Sequence, residues 1–162
     1  MSLRQVARQL ENGFFAPAPA ARPAVLRVLT GAYTIYYLGR RVRMMRQVHR
    51  TDPRLFAPVG PARALPKPLP PPVADAIFYT GLAADAAFTL GVRHRVTGPA
   101  HAALLLWTLS YRNSWSMIFH NDNNLALHTA VLGLSPSADA LGVDAPHLGS
   151  DVSTGATASR RT

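Results

Sequence analysis

Charged residues are almost absent from four long apolar stretches of this sequence, and this separation limits the fold more than any other feature. The stretches are residues 23–39, 73–92, 98–111 and 125–138. Within them the charged side chains are Arg27, Asp75 and Asp85. A helix that crosses a bilayer needs roughly 20 predominantly apolar residues, and helices built on these stretches approach that length. We therefore predict an all-α fold, a polytopic membrane helical bundle.

The predicted bundle has about four transmembrane helices and a short N-terminal interfacial helix. Residues 1–22 form the predicted amphipathic interfacial segment, because apolar side chains recur there at helical spacing between charged ones. The transmembrane helical domain is predicted over residues 23–144. Its spans are predicted near residues 23–39, 73–92, 98–119 and 123–140. Residues 145–162 are small and polar, and we expect them to form a flexible tail.

Charge and composition leave two classes of protein open. The formal net charge is +9, while 48% of the residues are hydrophobic and 15% are charged. A basic chain suits an anionic membrane surface, a nucleic acid or an acidic partner. Because the Lys and Arg residues flank the apolar stretches, we expect the lipid bilayer as partner and no nucleic acid. A soluble basic helical domain that binds nucleic acid is the alternative.

The absence of cysteine excludes several kinds of site. Structural disulfides, thiolate metal sites and a cysteine nucleophile within this sequence are all ruled out. The N-terminus has no apolar core of the kind that a cleavable signal peptide needs, so we expect it to be retained.

The connection over residues 40–72 is strongly basic and then proline-rich. It carries eight Lys and Arg residues and one acid, Asp52. Its first part is expected to run along the membrane surface, and its proline-rich part to act as a spacer. Basic residues are nearly balanced between the two predicted sides of the membrane, so the positive-inside rule leaves the orientation open.

Polar side chains interrupt the apolar stretches at a few positions, and such groups are costly at membrane depth and usually functional. Asp85 lies among Gly and Ala residues that suit close helix packing, so we expect it to face the bundle interior. Arg27 either snorkels to the interface, which we favour, or points inward. The candidate intramembrane polar cluster comprises Arg27, Asp85, Arg112, Asn113, His120, Asp122 and His128.

The favoured interpretation of the polar residues around the turn between the third and fourth spans is a structural network. In it Asn113, Asn121, Asn123 and Asn124 cap helices and satisfy the turn. The alternative is an inward-facing ionic cluster that lines a cavity for a lipid-soluble or anionic ligand. His120, Asp122 and His128 match no tight metal motif, so we predict no metal site and no cofactor. No paired base and nucleophile is evident, and catalytic residues stay unknown.

Several ordered motifs resemble a known family of bacterial membrane proteins. They are Phe14 to Pro17, Leu26 with Arg27 and Gly31, GVRHRVTGP from Gly91, SYRNSW from Ser110, HNDN from His120 and LGLSPSADALGVD from Leu132. Together they are similar to the horizontally transferred transmembrane domain family, whose members are relatives of vitamin K-dependent gamma-carboxylase. The resemblance covers roughly residues 14–144.

The resemblance implies a multi-pass protein of the bacterial inner membrane and a place for a quinone-like ligand inside a helical bundle. Family members have further helices after the SADALGVD motif, which implies that this chain corresponds to an N-terminal portion of the domain. The single lysine, Lys67, lies in the proline-rich connection and does not match the carboxylase base, so carboxylase activity is not expected.

We therefore expect a membrane subunit or incomplete domain without a defined reaction, and not an enzyme on its own. Its expected partner is another membrane protein or the remainder of the domain. A membrane enzyme or binder acting on a lipid-soluble, quinone-like ligand is the alternative.

Overall fold

The computed structural model describes residues 19–143, and this part of the chain is all-helical. The helices are α1, Ala21–Gly39; α2, Val42–Val48; α3, Pro71–Leu90; α4, His94–Asn113; and α5, His120–Leu134. Two short 3₁₀ turns, Pro53–Leu55 and Gly60–Ala64, lie between α2 and α3. No strand occurs among these residues, so the all-α prediction is confirmed for them. The predicted tail, and all but the last four residues of the predicted interfacial segment, lie outside the described residues.

Proline and glycine define the ends of α3. Its first two residues, Pro71 and Pro72, occupy the first turn, where a backbone N–H has no intrahelical partner to lose. The helix ends at Gly91, whose φ of 73° is in the left-handed region that glycine adopts without strain. The observed helix is therefore shifted by two residues from the predicted span 73–92.

The two helices that follow are shorter than predicted at their C-terminal ends. Instead of covering 98–119, α4 begins at His94 and ends at Asn113. The next residue, Ser114, turns toward the long connection, and its carbonyl accepts a hydrogen bond from the Ala57 N–H at 2.8 Å. Instead of covering 123–140, α5 ends before Ser135. Pro136 restricts that serine to extended backbone, which terminates the helix.

The four long helices form a closed antiparallel arrangement in the order α1, α3, α4, α5. Neighbouring helices in this ring pack against each other, and α5 also packs against α1. The residues that connect α1 to α3 and α4 to α5, residues 40–70 and 114–119, lie at one end, which we call the long-loop end. Residues 91–93 and 135–143 lie at the other, the short-loop end.

A pair of glycines allows the backbones of α4 and α5 to touch. A Cβ atom placed on Gly133 would lie 2.6 Å from the Gly98 carbonyl oxygen, and a Cβ on Gly98 would clash with the Gly133 carbonyl. Small residues allow this close approach of helices, which membrane bundles use widely. The contact fixes the register of the two helices, because Gly98 lies in the second turn of α4 and Gly133 in the last turn of α5.

One helix among the described residues, α3, has both the length and the mean hydropathy, 1.3, of a candidate membrane span. The shortest of the four, α5, has 15 residues and a length of about 22 Å, below the roughly 30 Å of a bilayer hydrocarbon core. The prediction of about four membrane-crossing helices therefore stays a prediction.

The glycine contact generates a stability prediction. We expect Gly98→Ala to lower the free energy of unfolding by about 1–3 kcal/mol, because the backbones of α4 and α5 must separate to accept a methyl group. The matched control is Gly39→Ala at the end of α1, where a new Cβ meets nothing within 4 Å. Thermal unfolding in detergent, followed by helical circular dichroism, measures both. Equal effects of the two substitutions would contradict the close approach.

Candidate functional site

Several of the predicted polar residues lie inside the bundle, but they do not form one cluster. Those with at most 6% of their surface exposed are Arg27, Asp85, Arg112, Asn113 and Asp122. The two remaining candidates, His120 and His128, lie on the surface of α5. The single inward-facing cluster considered in the sequence analysis is thus replaced by separate polar groups at three levels of the bundle.

At the long-loop end, Arg112 and Asp122 form a buried ion pair between α4 and α5. Arg112 lies in the last turn of α4 and Asp122 in the first turn of α5, so each charge complements the partial charge of its own helix end. The side-chain oxygen of Asn113 accepts a hydrogen bond from Arg112 Nη2 at 2.9 Å. These contacts hold the two helix ends together across the turn that connects them.

Tyr37 of α1 extends this ion pair to a third helix. Its hydroxyl donates to Asp122 Oδ1 at 2.8 Å, and the Arg112 Nη1 group donates to the same hydroxyl at 3.4 Å. The Arg41 guanidinium lies 3.9 Å from the centre of the Tyr37 ring, in a cation–π contact. Because both charged groups have several partners, this network fits the structural role favoured from the sequence.

A second buried pair, Asp85 of α3 and His101 of α4, lies deeper in the bundle. Asp85 Oδ1 and His101 Nε2 are 3.3 Å apart, and the two residues are 0% and 1% exposed. The Phe88 ring packs against the imidazole with 4.8 Å between ring centres. Unlike the ion pair, this pair has no hydrogen bond to other described residues at any of its four polar atoms, the two Asp85 carboxyl oxygens and the two His101 ring nitrogens. An unsatisfied buried polar group costs about 1–3 kcal/mol.

Thr34 and Thr129 lie at the same level as the Asp85–His101 pair. Gly31 contacts Thr89 across α1 and α3, and in these antiparallel helices Thr34 and Asp85 lie three and four residues from that contact. His101 and Thr129 lie three and four residues from the contact between Gly98 and Gly133, so they also lie at one level of the antiparallel α4 and α5. At this level each long helix contributes one buried polar residue. We call this set the polar layer: Thr34, Asp85, His101 and Thr129.

The polar layer is the strongest candidate functional site in the described part of the chain. Thr129 Oγ1, like the Asp85 and His101 atoms, is buried without a hydrogen-bond partner. Natural cores satisfy nearly all buried polar groups, so a layer that leaves several unsatisfied requires an explanation such as a ligand, an ion or water. His101 was not among the predicted site residues, although it is the only ionisable residue between Gly98 and Ser110.

At the short-loop end, Arg27 is buried and does not snorkel, contrary to the favoured expectation. Its Nη1 and Nη2 groups donate to the carbonyl oxygens of Ser137 and Leu141, at 2.9 and 2.7 Å. Arg27 is 0% exposed because residues 135–143 fold back over it. The charge therefore holds this segment on the end of the bundle through two backbone carbonyls.

A further ionic group, which the sequence analysis did not identify, joins α2 to the start of α3. Asp75 Oδ1 lies 2.7 Å from His49 Nδ1, and Arg50 Nη2 donates to Asp75 Oδ2 at 2.7 Å. The cluster holds α2 across the long-loop end of the bundle.

Neither metal binding nor homology assigns a role to these groups. Among residues 19–143, no three His, Cys, Asp or Glu side chains are placed to hold a metal ion together. Comparisons with protein-family models, with curated proteins and with solved structures give no match for this chain. The resemblance to carboxylase-related membrane proteins therefore stays an expectation from its motifs.

The ion pair generates a mutant-cycle prediction. We expect Arg112→Leu to lower the free energy of unfolding by about 3–5 kcal/mol, because Asp122 is left charged and buried without its partner. The double variant Arg112→Leu/Asp122→Leu is expected to lose less than the sum of the two single variants. Arg40→Leu, at an exposed arginine of the same end, is the control with little expected effect. Additive losses would show that the pair contributes no coupling.

The Asp85–His101 pair generates the opposite prediction. We expect the free energy of unfolding of Asp85→Val/His101→Leu to equal or exceed that of the natural protein, because apolar groups replace polar atoms that have no partners. Denaturation in mixed detergent micelles measures the difference. A loss above about 2 kcal/mol would mean that water or another group satisfies the pair in solution.

Proposed function

We propose that this chain is an integral membrane protein whose four long helices form a lipid-embedded bundle, and that it acts as a membrane subunit or as part of a carboxylase-related transmembrane domain. One observation carries the proposal, namely that the polarity of the bundle is inverted. Ionisable side chains lie in its interior beside apolar core residues such as Leu38, Phe78 and Leu105, whereas large aliphatic side chains of the same helices point outward. A helix on the surface of a soluble protein has the reverse pattern, with an apolar stripe inside and charged residues outside.

Helix α1 provides the clearest case of this inversion. Its buried positions are Ala24, Arg27, Gly31, Thr34 and Leu38. From Val25 to Gly39 its exposed positions contain no charged residue. Leu29, for example, is 62% exposed, while Arg27, two residues earlier, is 0% exposed. A lipid environment accounts for both facts, because aliphatic side chains are stable in lipid and arginine requires partners within the bundle.

The outer faces of the other long helices follow the same pattern. On α5, Leu127, Val131 and Leu134 are between 64% and 74% exposed. On α4, Val96 and Leu106 point outward, while His101 and Arg112 are buried. Mean hydropathy over a helix counts inward polar residues together with outward apolar ones, which lowers the averages of α1 and α4. On α5 the exposed polar residues lower the average as well, namely His120, Asn121, Asn123, Asn124 and His128.

The distribution of basic residues also favours a membrane over a nucleic acid as partner. Arg43 and Arg46 are exposed on α2, which lies across the long-loop end of the bundle, and Arg50 is exposed just after the helix ends. A short basic helix in this place suits the phosphate region beside an anionic bilayer. The soluble alternative, a nucleic-acid-binding domain, has no explanation for the apolar outer faces of the four long helices.

The alternative of a quinone-like ligand has one supporting observation, the unsatisfied polar layer. The polar head of a lipid-soluble molecule would supply hydrogen bonds that Asp85, His101 and Thr129 lack. We favour a subunit role because exposed aliphatic side chains occur on all four long helices, as contacts with lipid or a membrane partner require. The evidence for a ligand, in contrast, comes from the polar layer alone.

Because the chain has no cysteine, single-cysteine labelling tests the membrane location directly. Leu127→Cys and Met117→Cys place thiols at sites that are 64% and 71% exposed, the first on the outer face of α5 and the second in the α4–α5 turn. We expect a charged maleimide to label Met117→Cys at least tenfold faster in vesicles opened by freeze–thaw, because lipid covers Leu127. Both thiols should react after unfolding in SDS. Equal rates in native vesicles, or release of the protein by alkaline carbonate, would contradict the proposal.

A further inference from the structure

A cleft of about 970 Å³ opens at the short-loop end, between the start of α4 and the end of α5. Its lining includes Arg93, Arg95, Val96 and Leu134. Neither the ion pair nor the polar layer lies in this lining. The cleft is therefore a separate feature, and its shape and chemistry can be considered independently.

One side of the cleft is cationic. Arg95 is exposed and forms no hydrogen bond or ion pair with other residues of the described part of the chain. Arg93 also contributes to the lining, and its φ of 43° places it at a tight turn between α3 and α4. Asp139 is the acid among the described residues of the lining. A guanidinium is the side chain that binds phosphate oxygens best, through paired N–H donors.

The cleft wall beside these arginines is fixed by His94 and the segment after α5. His94 Nε2 lies 3.0 Å from the carbonyl oxygen of Ser135, and Ser137 Oγ donates to the carbonyl of Leu132 at 2.7 Å. Arg27 binds the same segment from inside the bundle, through the Ser137 carbonyl. The site is thus held in place by buried hydrogen bonds and does not consist of loose surface loops.

The other side of the cleft is apolar and continues along the bundle. Val96 and Leu134 are 68% and 74% exposed, and Val131, one turn before Leu134 on α5, is 68% exposed. A strip of aliphatic surface therefore runs from the arginines toward the middle of α5. A small soluble anion would use the arginines and leave this strip without a role.

We propose that the cleft binds an anionic phospholipid, with its phosphate beside Arg95 and one acyl chain along Val96, Leu134 and Val131. A basic pocket between helix ends with an apolar wall matches the two parts of such a lipid. The inference rests on the proposed membrane location, because the apolar strip meets lipid only in a bilayer.

The test uses the full chain purified in a nonionic detergent and measures lipid binding by native mass spectrometry. Phosphatidylglycerol is compared with phosphatidylcholine at equal concentration, for the natural chain, Arg95→Gln and Arg22→Gln. Arg22 is an exposed arginine of the same end, at the start of α1, and it does not line the cleft. Inorganic phosphate, added as a competitor, distinguishes a lipid site from a site for a free anion.

We expect Arg95→Gln to weaken phosphatidylglycerol binding about tenfold, as for the loss of one charge-assisted contact, and Arg22→Gln to change it less than twofold. Millimolar inorganic phosphate should not displace the lipid. Equal binding of the two lipids, equal losses in both variants, or full displacement by phosphate would overturn the inference. If the protein stays in the membrane while any of these results appears, this inference fails alone. If the cysteine labelling places it in water, the proposed function fails as well.

Discussion

The ion pair between Arg112 and Asp122 is the contact on which the arrangement of the long-loop end depends. It closes the α4–α5 turn, and through Tyr37 it binds α1, the helix most distant in sequence. Each partner lies at a helix end that favours its charge, so backbone dipoles and side chains act in the same direction. A low-dielectric surrounding strengthens every contact in such a network. In the same surrounding, the loss of any one member lowers stability strongly, which fits a structural role better than a role in binding.

The polar layer has the opposite energetic character. Asp85 and His101 contact each other, yet their four side-chain polar atoms lack hydrogen bonds, so the layer lowers stability where the ion pair raises it. Proteins accept such a cost mainly at functional sites, where activity and stability oppose each other. The layer also includes one buried residue from each long helix. These two properties, and no sequence motif, distinguish it from the other polar groups.

The sequence was sufficient to predict where the long helices lie, because the separation of charge from apolar stretches is a local signal. The predicted spans nevertheless ran through Gly91 and Pro136, beyond the observed ends of α3 and α5. The sequence was insufficient to predict which polar residues meet. Asp85 was assigned to one cluster with Arg112, but they lie at different levels. His101 was overlooked, because the register of α3 against α4 determines its contact with Asp85. Arg27 was expected at the interface since its partners, two carbonyls more than 100 residues later, depend on the fold of the 135–143 segment.

The inverted polarity of the bundle connects these separate groups. In a medium without water, a charged side chain is stable only where it finds partners, and in a four-helix ring the interior is the one place that all helices share. The ion pair and the Asp75 cluster meet this demand with several hydrogen bonds, and Arg27 meets it with two, although its Nε has no partner among the described residues. Each lies near an end of the bundle where helices must be joined. The polar layer lies between these ends and meets the demand least completely. An apolar exterior therefore explains the positions of the satisfied groups, and it identifies the unsatisfied one as the level at which a bound group would add the most stability.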